Sequence, residues 1–156
     1  MKIKAKHVAA SINNWNAKSQ DERAVFMTNI LDEQKSVGGQ LAALVVQEGI
    51  PADLVENGID IACIILDAVK QAGCRLPLLT HEMFLHEYKN LGAFFSLLES
   101  EENGIMESMV KESKEKVLLA YVTNEFKDLR LEHQHPKGYM IVVAIMALFN
   151  LVDKNL

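Results

Sequence analysis

Metal-dependent chemistry needs imidazoles and carboxylates that converge, and two stretches of this chain supply them. His81-Glu82 and His86-Glu87 fall close together on one segment. In a His-Glu-x-x-His helix the two imidazoles are four residues apart and share a face, which lets them bind one zinc ion. Here His81 and His86 are five apart, an offset of about 140° at about 100° per residue, so they do not chelate together. Glu82 and His86 do have the four-residue spacing, which also serves simply to stabilise an exposed helix. Glu132-His133-Gln134-His135 contains one Glu-x-x-His, a pattern that di-iron bundles use twice, with further glutamates from two other helices. Pro136 follows immediately and interrupts helical geometry. A composite site of Glu82, His86, His133 and His135 therefore requires that the two segments meet in space, and the spacing alone favours solvated side chains. No cofactor is implied.

Nucleophilic chemistry finds less to work with. There is no Gly-x-Ser-x-Gly elbow, and the two cysteines, Cys63 and Cys74, stand eleven positions apart with no Cys-x-x-Cys pair. Cys63 lies within Ile61-Ala62-Cys63-Ile64-Ile65, where a small buried hydrophobe is expected. Cys74 sits beside Arg75 and is the better placed thiol, but no base accompanies it. Val37-Gly38-Gly39-Gln40 has neither a preceding strand nor the Lys-Ser/Thr ending of a phosphate loop, so it reads as a helix kink. The densest basic run, Lys111, Lys114 and Lys116, is interleaved with Glu112 and Glu115. With a formal charge of -5, the field of the whole chain opposes nucleic acid and anionic membranes.

The elements that must carry these residues are helices. Ser19, followed by Asp21 and Glu22, marks a helix start, and a helix from about Gln20 to Lys35 follows. Gly38-Gly39 ends or kinks it before Gln40 to Glu48 resumes. Gly49-Ile50-Pro51 separates two helices that a link this short makes antiparallel neighbours. From Pro51 to Ala72, Val55, Ile59, Ala62, Leu66 and Val69 recur at four and three, and only a narrow polar stripe remains, so this helix belongs at the centre. Thr80 caps a helix running to about Ser100, with Phe84, Tyr88, Leu91, Phe95 and Leu98 as its core stripe and Gly92, Ala93 and Ser96 as a small-residue patch. Asn103 caps a long helix from about Gly104 to Arg130, and Pro136 opens the last one, which ends near Val152. Val8, Ile12 and Trp15 suit a short helix docking by its tryptophan. A β-branched run at Ile141 to Ile145 would suit a strand, but no other segment offers it a partner.

The expected fold is all-α, a single domain over residues 1–156 built as a multi-helix bundle or orthogonal array of five to seven helices. The apolar run Tyr139 to Phe149 is too short for a bilayer, which takes about 20 such residues. Val8-Ala9-Ala10 is likewise too short for the core of a signal peptide, so a cytoplasmic protein without a transmembrane segment is expected.

Two helices that are nearly all apolar exceed what a chain of 156 residues encloses comfortably. The surplus points to a non-enzymatic protein working by association, as a homo-oligomer or by docking a partner helix, through Tyr139, Met140, Val143, Met146 and Phe149. The alternatives are a small metal-dependent or small-molecule enzyme built on the His/Glu residues above, and a pocket for a hydrophobic ligand. Seven methionines would suit an adaptable groove.

Overall fold

The computed structural model of the chain describes the backbone of residues 1–98 and 111–156, and the side chains of all of these except 93–98. The helices are α1 (Ala5–Asn16), α2 (Gln20–Glu33), α3 (Lys35–Val46), α4 (Ala52–Gln71), α5 (His81–Leu98), α6 (Lys116–Leu129), the single-turn α7 (Leu131–Gln134) and α8 (Tyr139–Asn155). No strand occurs among the described residues, and Ile141 to Ile145 is helical. The all-α expectation holds, and no helix among the described residues is long and apolar enough to cross a membrane.

Local chemistry sets several boundaries where it was expected to. Ser19 and Glu22 form a reciprocal capping box at the start of α2, and the Thr80 hydroxyl accepts the Met83 N–H at the start of α5. Gly49 adopts a left-handed φ of 68° and turns the chain after α3, so that the Ile50 N–H reaches back to the Leu44 carbonyl.

Three boundaries fall elsewhere, and in two of them a distant side chain decides. Gly38 and Gly39 lie inside an unbroken α3, and the break comes at Gln34 instead. Gln34 is buried, donates to the Pro77 carbonyl at 2.9 Å and accepts the Leu79 N–H at 2.9 Å, so its side chain satisfies backbone groups of the loop before α5. The expected helix from Gly104 to Arg130 is interrupted at Ser113–Glu115, where Asp153 of α8 captures the Ser113 hydroxyl and the N–H groups of Lys114 and Glu115. Glu115, one of the acidic residues interleaved with the lysine run, is only 2% exposed, and its carboxylate accepts the N–H groups of Lys2 and Ile3. The final helix starts at Tyr139, after a turn that holds Pro136. Asn103, and the side chains of Ala93, Phe95, Ser96 and Leu98, lie outside the described residues and side chains.

α4 is central, as its pattern required, and packs against α1, α2, α3, α6 and α8. Ile61 to Val69 are all buried. α8 crosses α4 at Gly58, where a Cβ would come within 2.7 Å of Ile141 Cγ2, so glycine permits the approach. α1 docks along α4 with Val8, Ser11 and Trp15 buried. The Trp15 ring packs on Phe26 at 5.9 Å between centroids, with the Arg23 guanidinium over its face. α5 lies on α8 in the same direction, pinned where the buried Glu87 carboxylate accepts from Asn150 and from Lys154.

Candidate functional site

The residues proposed from the sequence as metal ligands do not form one centre. Glu82 and His86 are exposed on α5, whereas His133 is exposed and sits 3.5 Å from its neighbour Glu132. His135 accepts the Lys137 N–H at 3.0 Å through Nδ1. Among the described residues, no group of three or more His, Cys, Asp or Glu side chains could hold a metal ion.

The apolar residues of the last helix divide into two sets. Met146 and Phe149, expected at an interface, are 5% and 1% exposed and are spent inside the core. Both lie on the side of α8 that its neighbouring helices cover, while Lys154 and Asn155 form the exposed side of its last turn. Tyr139, Met140 and Val143 lie in its first two turns, where α3, α5 and α8 diverge, and they line a groove of about 680 Å³. Ala43, Leu44 and Leu85 complete its apolar walls. Tyr139 and Leu85 are exposed at its mouth, at 55% and 45%.

Polar bridges frame the groove. Between α3 and α5, Gln40 Nε2 lies 2.6 Å from His81 Nδ1, and the Tyr88 hydroxyl donates to Gln40 Oε1 at 3.0 Å. Between the turn after α3 and the turn before α8, Lys137 pairs with Glu48 at 3.1 Å. Burial pushes the Tyr88 phenol up to about 12, so it stays a neutral hydroxyl at physiological pH. Ser36 also lines the groove, but His81 Nδ1 is taken by Gln40 and does not activate the Ser36 hydroxyl. The groove thus presents apolar wall, one hydrogen-bonded chain of three side chains and one ion pair.

From the sequence His81 is only a potential metal ligand. The polar roles of Gln40 and Tyr88 are not legible there, because nothing local marks residues that meet across 48 positions.

A second cavity, about 280 Å³, lies between α1, α4 and α6 and is lined in part by Trp15, Asn57, Asp60, Tyr121 and Glu125. Burial drives the Asp60 carboxyl up to about 6; Arg23 opposes this and Glu56 adds to it. Burial, helped by Asp128, also raises Glu125, and burial followed by Glu125, Asp60 and Cys63 raises the Tyr121 phenol. Cys63 is pushed up to about 12 by burial and then by Asp60 and Asp67, which makes it the inert hydrophobe that its neighbours suggested.

No protein-family model, no curated protein and no solved structure matches the chain.

Proposed function

We propose that this is a non-enzymatic helical binding protein whose groove between α3, α5 and α8 takes up an apolar small molecule. The observation that carries this reading is the groove itself, about 680 Å³, apolar along its walls and bridged by Gln40 on one side and by the Lys137–Glu48 pair at another. Small-molecule sites occupy roughly 300–1,000 Å³ and combine apolar walls with a few placed polar groups. A cleft bridged in this way suits a compact ligand better than a helix running through it.

The test is titration with Nile red, a neutral apolar dye, against the unmodified chain and a variant in which the groove is filled. Gly39 lines the groove, and a Cβ there meets nothing within 4 Å, so Gly39→Leu adds bulk without a clash at its first carbon. Saturable binding by the unmodified chain, lost in a folded Gly39→Leu variant, is the expected result. Equal binding by both would remove the reading.

Association through the same region is the second reading, favoured by the exposure of Tyr139 and Leu85 at the groove mouth and of Val46, 84% exposed, on α3. Sedimentation across a range of concentrations separates the two. A dimer that Tyr139→Ser dissolves would favour association, and a monomer that binds dye would favour the ligand.

A further inference from the structure

We propose that Gln40, His81 and Tyr88 read the head of that ligand, and that they select an uncharged group able both to donate and to accept a hydrogen bond, such as an alcohol or a primary amide. The inference rests on the groove being a ligand site. Its own support is the hydrogen-bond count along the three side chains.

Gln40 has one carbonyl oxygen and one amide nitrogen, and both are engaged. Tyr88 gives its proton to Oε1, and Nε2 gives one of its two protons to His81 Nδ1. An Nδ1 that accepts carries no proton, so the neutral ring holds its proton on Nε2. With the Gln40 amide in this orientation, the chain leaves over lone pairs on Tyr88 Oη, an N–H on His81 Nε2 and the second N–H of Gln40. All three residues line the groove. A hydroxyl or amide head complements an acceptor beside donors, because it donates to Tyr88 Oη and accepts from His81 or Gln40.

An ionised head fits less well on either sign. A carboxylate only accepts, so it can answer the His81 and Gln40 N–H groups but has no proton to give to Tyr88 Oη. An ammonium only donates and meets the His81 and Gln40 N–H groups. The cation that could answer a carboxylate, Lys137, is already paired with Glu48. Either ion also gives up its hydration against the walls formed by Ala43, Leu85 and Val143.

The experiment displaces bound Nile red from the full chain at pH 8 with decanol, decanamide, decanoate and decylammonium. Decanol and decanamide are expected to bind about tenfold more tightly than the two ions. Tyr88→Phe and Gln40→Leu, each checked for folding by circular dichroism and each compared with its own affinity for the dye, are expected to lose most of that preference. Equal affinity for all four heads, tighter binding of an ion, or a preference unchanged in both variants would overturn the inference while leaving the groove a ligand site. Failure of the dye itself to bind would instead defeat the reading on which it rests.

Discussion

The Asp153 carboxylate accepts the Glu115 N–H at 2.7 Å, and through that bond α8 determines where α6 begins. The same oxygen takes the Lys114 N–H at 3.0 Å and the Ser113 hydroxyl at 3.2 Å. Glu115 in turn holds the Lys2 and Ile3 N–H groups, so two carboxylates in series tie the N-terminal segment, the start of α6 and the end of α8 together. Charge-assisted bonds of this kind are stronger than neutral ones. Asp153→Ala leaves those donors without acceptors and is expected to cost about 2 kcal/mol or more. Asp153→Asn keeps one acceptor oxygen and should cost less. Urea denaturation of the three proteins checks the order.

These bonds explain which parts of the fold were legible in the sequence. The caps at Ser19 and Thr80 are written within three residues of where they act, and the sequence placed both helix starts correctly. The breaks at Gln34 and at Ser113–Glu115 depend on Pro77, Leu79 and Asp153, some 40 positions away, and no local pattern announces them. The candidate site divides in the same way. Tyr139, Met140 and Val143 were legible as surplus apolar residues, whereas periodicity could not say that Met146 and Phe149, on the same helix, would be enclosed by its neighbours.

Three glycines should respond to the same substitution in different ways. At Gly39, inside α3, an added methyl meets nothing, so Gly39→Ala is expected to stabilise the fold by about 0.5–1 kcal/mol through lost backbone freedom in the unfolded chain. At Gly58 the methyl falls 2.7 Å from Ile141 Cγ2, and a branched carbon on a buried helix cannot swing away. At Gly138 it falls 1.9 Å from the Leu131 carbonyl oxygen, which is backbone. Both of these are expected to lose about 1–3 kcal/mol or more. Thermal melts of Gly39→Ala, Gly58→Ala and Gly138→Ala give the ranking directly, and a stable Gly138→Ala would contradict the turn geometry.

Asp60 makes stability depend on pH in an unusual direction. Burial raises its carboxyl to about 6 in the folded chain, from 3.8 when exposed. Between those values the native state holds a proton that the unfolded state has lost, so stability increases as pH falls through about 6 and decreases as pH rises. Glu125 is shifted in the same direction. Asp60→Asn removes the charge that burial penalises. It is expected to stabilise the chain at pH 8 by about 1 kcal/mol, less than the full shift implies because water screens a half-exposed carboxyl. At pH 4, where the carboxyl is protonated, the gain should vanish. Denaturation midpoints for both proteins at the two pH values test this, and an equal gain at each would exclude Asp60 as its source.

α8 carries the sharpest contrast between core and site, because its two ends face different surroundings. Phe149 is 1% exposed and touches only protein, so Phe149→Ala should cost about 3–5 kcal/mol through lost burial and the cavity left behind. Tyr139 is 55% exposed at the groove mouth, so Tyr139→Ala should change stability by no more than about 0.5 kcal/mol. Its effect should appear in function instead, as weaker uptake of Nile red, since it removes an aromatic wall of the groove. Measuring urea midpoints and dye affinity on the same two variants separates the roles. If Tyr139→Ala left dye affinity unchanged, the Tyr139 ring would not belong to the binding surface, and α8 would contribute only through Met140, Val143 and Ala144.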